Sequence, residues 1–406
     1  MVEKVVVTGM GMISSLGFTL ESNWKNLVEG RSGVHTISRF DASSLATRIA
    51  AEVSPGFEEF SRNYIKKRQA GQMTRVTRMC VTASKMAVED ASIDFDATDR
   101  RRCAVIMGVV NTGNSSVEKD TTLQNFVFKN MSNSMAAWIS MEYRLNGPSF
   151  SVNTACASSA YALALGFDLI RQGKCDIVIC GGADSIVNPE EISGFNALYA
   201  LSTSNDLPEQ ASKPFSRDRD GFVIGEGAGV IILESFSHAV GRNAKIHSEF
   251  AGYATTSEGY NIMAPAADGE GMAYTMREAI ANAGIEAGEV DYINAHGTST
   301  ELNDRYETFA IKKVFGDRAG KIPVSSSKSM IGHTIGAAGS IEAIITVMAL
   351  REGILPPTIN YRLPDPDLDL DYIPNIARVT EARVALSNSF GFGGHNATLV
   401  FRKHPS

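Results

Sequence analysis

Val152-Asn153-Thr154-Ala155-Cys156-Ala157-Ser158-Ser159 joins an apolar run to an alanine-rich one, and Cys156 stands at the junction. The run before it has strand character. In the segment 157–172, Ala160, Leu163, Ala164, Phe167 and Ile170 recur near helical spacing, with Gly173 as the stop. A thiol at a strand-to-helix turn has backbone N–H groups and a helix dipole aimed at it, which favours a thiolate and an oxyanion beside it. Two histidines lie downstream in glycine-rich settings, Asn294-Ala295-His296-Gly297-Thr298 and Ser329-Met330-Ile331-Gly332-His333-Thr334. One thiol and two imidazoles point to acyl-thioester chemistry.

Working outward, the first half has strand patterns at 4–9, 103–109, 150–154, 176–181 and 229–234. Helical patterns fall at 20–29, 77–92, 133–144 and 157–172. The second half repeats the rhythm, with strands at 246–252, 291–295, 322–326, 384–388 and 397–402 and helices at 271–284, 304–314 and 338–351. The expectation is an α/β protein of two similar halves, 1–245 and 246–406, with mostly parallel sheets covered by helices. Cys156 then follows the third strand of half one. His296 follows the second strand of half two, and His333 lies beyond its third. Ligands gather outside the carboxyl ends of parallel strands, so one cleft can hold all three. The stretches 186–225 and 353–381, rich in Pro, Asp, Ser and Gly, are expected as surface loops or a cap.

Composition sets the bounds. The 406 residues are 44% hydrophobic and 20% charged, with net charge -7, which fits a soluble globular chain and argues against a broad nucleic-acid surface. No apolar stretch approaches the length of a membrane span, and the start reads as a strand, so the cytoplasm is the expected location. Cys80, Cys103, Cys175 and Cys180 sit among apolar neighbours and read as buried thiols. One Cys and two His could bind zinc, but they are scattered along the chain without a local chelating motif, and no metal is expected. Gly181-Gly182-Ala183-Asp184 and Gly225-Glu226-Gly227-Ala228-Gly229 match no phosphate loop and read as close-packing backbone. Asn388-Ser389-Phe390-Gly391-Phe392-Gly393-Gly394-His395-Asn396 joins two expected strands, and its turn could set the Phe390 N–H opposite that of Cys156 as an oxyanion hole.

From Val6-Val7-Thr8-Gly9-Met10-Gly11 to Leu399-Val400-Phe401 the chain resembles the β-ketoacyl-acyl-carrier-protein synthases of the thiolase-like superfamily. The stretches that carry the resemblance are Thr154–Ser158, Asn294–Thr300, Lys328–His333, Asn388–Gly394 and the segment Phe215–Phe222. It implies a five-layered αβαβα fold and decarboxylative condensation of an acyl group on Cys156 with a malonyl thioester. His296 and His333 would hold the malonyl carbonyl, Lys328 paired with Glu342 would support the electrostatics, and Thr298 and Thr300 would bind the phosphopantetheine arm. That arm arrives on acyl carrier protein, so no permanently bound cofactor is implied.

The resemblance further implies a dimer, with 104–135 and 150–154 near the interface. A heterodimer with a chain-length-factor-like subunit is also compatible, as is a noncatalytic partner role, against which Cys156 argues. The Cys-His-His set separates the chain from thiolases that use a second cysteine. Fatty-acid or polyene elongation is expected ahead of an aromatic polyketide system, although Asn303–Thr308 and Phe392–Asn396 resemble polyketide enzymes as much. In Gly108–Asn114, Asn111 either lines the acyl tunnel or bonds within its loop. Lys66, Lys67, Arg68, Arg75 and Arg78, with Lys129, form the basic stretch expected to steer an acidic carrier protein.

Overall fold

The computed structural model describes residues 3–112 and 123–405. The strands of the main sheet are β1 (Val5–Ile13), β2 (Cys103–Gly108), β3 (Ser149–Val152), β4 (Ile177–Asp184), β5 (Gly227–Ser235), β6 (Ser248–Ser257), β7 (Tyr292–Asn294), β8 (Val324–Ser325), β9 (Val384–Gly391) and β10 (His395–Lys403). The helices that bear on the site are α1 (Leu20–Val28), α2 (Arg75–Ala91), α3 (Leu123–Asn130), α4 (Ser134–Tyr143), α5 (Ser158–Arg171), α6 (Pro189–Ala197), α7 (Glu270–Asn282), α8 (Glu301–Phe315) and α9 (Ala338–Glu352).

Strand order in the first five is β3-β2-β4-β5-β1, and in the second five β8-β7-β9-β10-β6. Both read third, second, fourth, fifth, first. The sense of every pairing also matches: third with second and second with fourth are parallel, fourth with fifth and fifth with first antiparallel. The sheets are therefore mixed rather than mostly parallel, because each half closes on antiparallel strands that need no helical crossover. A short antiparallel seam, Val5–Val7 against Ser248–Phe250, joins the two sets into one ladder.

Helices α2 and α4 cover the outer face of the first set, and α7 and α8 that of the second. Between the sets, α5 and α9 touch each other and strands of both, and their apolar residues fall in one cluster with β1, β4, β5, β9 and β10. The order helix, sheet, helix, sheet, helix gives the five-layered fold. Helix α9 is buried on all sides from Ala338 to Leu350, as a central layer requires.

The central pair packs backbone to backbone. A Cβ on Gly339 would stand 2.7 Å from the Ala160 nitrogen, and Ser340 N donates to Ser159 Oγ at 2.9 Å. The glycine stretches behave likewise: a Cβ on Gly229 would meet the Ile341 nitrogen at 2.7 Å. Two elements depart from expectation. Helix α6 lies in a stretch expected as loop, started by Asn188, whose side chain accepts from Glu191 N, with Pro189 in the first turn. The third strand of half two shrinks to Val324–Ser325. No helix among the described residues is long and apolar enough to cross a membrane.

Gly339→Ala tests the central contact. Helix propensity alone would stabilise α9 by about 1 kcal/mol. The overlap with Ala160 outweighs it, and a net loss of roughly 1–3 kcal/mol is expected from overpacking. The denaturation midpoint reads this; a rise would show that α5 and α9 have room to spare.

Candidate active site

The loop from β3 to α5 carries Cys156 on a strained turn. Ala155 adopts φ +51°, a left-handed conformation uncommon for a residue with a side chain. Ser158 holds it: its Oγ donates to the Ala155 carbonyl at 2.6 Å and accepts from Thr154 N at 2.9 Å. His333 follows the third strand of the other half and precedes α9, so the two residues occupy comparable places in the repeat. His296 leaves β7, and its backbone N–H and that of Gly297 each donate to the Glu307 carboxylate at 2.8 Å.

A cavity of about 440 Å³ gathers Cys156, His296, His333, Phe390, Thr298 and Thr300 in its wall. The two imidazole centroids are 5.4 Å apart and nearly perpendicular, and Phe222 and Phe390 present ring edges to His333 and His296. Thr298 and Thr300 hydroxyls are 2.9 Å apart on the polar side. Val110, Phe195, Phe222 and Ile335 make an apolar side continuous with a buried cluster. Lys328 and Glu342 stand behind the wall as a fully buried ion pair, with Lys328 Nζ 3.4 Å from His296 Nδ1.

Both histidines are neutral donors. Burial, reinforced by the Lys328 charge, holds each well below the usual imidazole range. The His333 Nδ1 accepts the Ile335 N–H at 3.2 Å, which leaves its proton on Nε2. An ammonium can only donate, so Lys328 assigns the same tautomer to His296. The His333 Nε2 is buried and has no partner among the described residues, so its hydrogen bond is left for what enters the cavity.

Three expectations change. The Cys156 thiol is not acidified in the free protein: burial pushes it up to about 11, against the opposing pull of Lys328 and backbone N–H groups. The donors at its sulfur are the N–H groups of Phe392 and of Cys156 itself, not that of Phe390, which lies within β9 opposite Asn396. The basic stretch is smaller than it reads, because Arg75 is buried against Glu226 and Glu58, Arg78 is tied to Glu58, and Lys129 is buried. Lys66, Lys67 and Arg68 remain exposed.

Asn111 does not face the cavity. Its side chain donates to Glu191 of α6 at 2.7 Å, and Val110 is the residue in the wall; Gly113 and Asn114 lie outside the described residues. Cys80, Cys103, Cys175 and Cys180 are buried. Among the described residues, no group of three His, Cys, Asp or Glu is arranged to hold a metal ion. Sequence reasoning missed Glu307, pushed up to about 7 by burial, and Phe392. Glu307 sits eleven positions beyond His296, on the inner face of α8, and a buried acid there was the available signal.

Alkylation of Cys156 in the free protein should accelerate about tenfold per pH unit until the thiol ionises near pH 11. Iodoacetamide labelling followed by intact mass reads it; a rate already flat at neutral pH would show a preformed thiolate.

Residues 2–239 match the family model "Beta-ketoacyl synthase, N-terminal domain", and residues 247–362 match "Beta-ketoacyl synthase, C-terminal domain". The chain is 42% identical over 412 residues to the 3-oxoacyl-[acyl-carrier-protein] synthase 2 of Synechocystis, covering 99% of this chain and 98% of that one. The Vibrio harveyi protein of the same name is 40% identical, with 98% of each chain covered. Among solved structures, the ishigamide ketosynthase/chain length factor superposes with a TM-score of 0.91 at 34% identity, over the whole of both chains. A type II PKS ketosynthase, solved in complex with its acyl carrier protein and bound to the hexaketide, gives a TM-score of 0.89 at 32% identity, again over both whole chains. With two family models spanning most of its length and relatives this similar end to end, the chain belongs to the beta-ketoacyl synthase family.

Proposed function

We propose that the protein lengthens an acyl group by two carbons through decarboxylative condensation with malonyl-acyl-carrier-protein, in fatty-acid or polyene and polyketide elongation. The observation that carries this reading is the pair of neutral, Nε2-protonated imidazoles sharing one cavity with a cysteine. Two donors in one cavity bind a developing enolate oxygen, and with Nε2 already protonated and Nδ1 engaged neither imidazole is set to take a proton from the substrate. The half ending near residue 245 supplies the nucleophile and the half beginning near 246 the histidines.

In the first step the Cys156 sulfur bonds to the acyl carbon of a carrier-bound thioester. The pantetheine sulfur leaves and takes up the cysteine proton. Because the thiol is weakly acidic in the free protein, this transfer waits for the substrate, and Lys328 together with the N–H groups at Sγ stabilises the charge as it forms. In the second step malonyl thioester enters with its carbonyl oxygen between the His296 and His333 Nε2–H groups. The bond to the carboxylate breaks, carbon dioxide leaves, and the electron pair becomes the enolate. The enolate carbon attacks the acyl carbon, and the N–H groups of Cys156 and Phe392 hold the tetrahedral oxyanion. Collapse releases β-ketoacyl product, and the departing thiolate regains a proton. Thr298 and Thr300 bond the pantetheine arm on the polar side, and the acyl chain fills the apolar side.

Exposed Lys66, Lys67 and Arg68 offer the acidic carrier protein a basic landing site, and the expected location stays the cytoplasm. The partner is a second copy of the chain. Among the described residues, strand β3 pairs on one edge only, and around it Phe126, Phe128, Met131, Met141 and Phe150 are exposed. An open edge flanked by aromatics is a surface that a second edge would cover.

Cys156→Ala should abolish acyl-enzyme formation, read by intact mass, and condensation with it. Cys156→Gln should still release carbon dioxide from malonyl carrier protein, and His296→Ala with His333→Ala should cut that release by about 10²–10³-fold. Undiminished release in the double variant would remove both histidines from the reaction. Phe150→Asp should turn a dimer into monomers in light scattering; a wild-type monomer would instead favour a chain-length-factor-like partner.

A further inference from the structure

At the carboxyl end of β4 lies a carboxylate that the reaction does not use. Asp184 is fully buried. One oxygen accepts from Ser185 N at 3.1 Å, and the other from Gly336 N at 3.1 Å. The Val110 N–H also donates to it. A buried acid with three backbone donors and no ion-pair partner among the described residues is a clasp, and the two segments it draws together both border the site. Val110 is in the apolar wall of the cavity, and Gly336 is the middle residue of the single helical turn Ile335–Ala337 that follows His333.

That turn needs holding. Ile335 sits at φ +48°, a left-handed conformation unusual for a β-branched residue, and its N–H is the group that fixes the His333 tautomer. Gly336 is packed tightly enough that a Cβ there would stand 2.9 Å from the Asp184 oxygen and 3.1 Å from the Val110 nitrogen. We infer that Asp184 is a positioning residue for condensation: its carboxylate locks the 333–336 turn to Val110, so that His333 keeps its Nε2–H on the malonyl site beside the acyl arm. Burial lifts Asp184 to about 7 although the Gly336, Ser185 and Val110 donors pull the other way. Glu191 stands near enough to oppose it by charge.

The inference rests on the roles proposed for Cys156 and His333, and its test separates the two. Asp184→Asn replaces one acceptor oxygen by an N–H donor facing other donors. Gly336→Ala leaves the carboxylate but forces a methyl group into the clasp. In Gly336→Ala, Cys156 acylation by acyl carrier protein, timed by intact mass, should stay within about twofold of the parent; Asp184→Asn also removes a charge that holds the Cys156 thiol up, so its acylation should be no slower. In both, the condensation kcat and malonyl decarboxylation should each fall about tenfold or more with malonyl KM little changed, as misplacement of a transition-state donor predicts. Unchanged kcat in both variants overturns the inference, and so does a loss of acylation and decarboxylation in proportion to a lowered melting temperature. If Asp184→Asn does not fold, Gly336→Ala alone decides between these outcomes. A parent protein that neither acylates Cys156 nor decarboxylates malonyl carrier protein would instead overturn the reading beneath it.

Discussion

The contact of α5 with α9 is the constraint from which the site follows. Each helix is entered from the third strand of its own half, and each entry loop carries one side chain of the cavity wall, Cys156 in one and His333 in the other. Bringing the helices to backbone contact at Ala160 and Gly339 therefore brings the two loops together. The small residues of α5, Ser159 and Ala160, permit this approach. A larger side chain at the interface would separate the halves and, with them, the thiol from the imidazoles.

Burial does the second part of the work, and it acts differently on each group. It disfavours charge on Cys156, His296 and His333 alike, which keeps the imidazoles as neutral donors and the cysteine as a thiol. The cation behind these groups is Lys328, whose cost is met by Glu342, itself pushed up to about 7 by the same burial. The lysine then serves three neighbours: it depresses both histidines, donates toward His296 Nδ1, and favours the thiolate at Cys156. An uncharged residue in its place would leave Glu342 without a partner and His296 free to change tautomer.

Much of this was legible in the sequence because periodicity and turn chemistry act locally. The repeated strand and helix rhythm located most elements of both halves, and the small polar residues around Cys156, His296 and His333 marked their turns. The strand order and the antiparallel closure were not legible, since pairing is decided by contacts between segments far apart in the chain. Helix α6 was missed although Asn188, Pro189 and Glu191 form a starting signal, because the surrounding Pro, Ser and Asp content outweighed it. Arg75 and Arg78 read as surface charge for a related reason: a run of basic residues does not reveal that Glu226 and Glu58 come from elsewhere to bury them.

The difference between Phe390 and Phe392 shows what a motif leaves undecided. Both lie in the same glycine-rich stretch, two residues apart, and a strand puts residues two apart on the same face. What separates them is where β9 ends, at Gly391. Phe390 is still committed to the ladder with Asn396, and its ring faces His296 instead. Past the strand end, Gly393 and Gly394 take left-handed conformations, and Gly393 N donates to the Ile262 carbonyl. Phe392 is thereby turned out of the ladder, and its N–H is free to reach the sulfur. The glycines thus set the amide at the Cys156 sulfur indirectly, by deciding which one the sheet gives up.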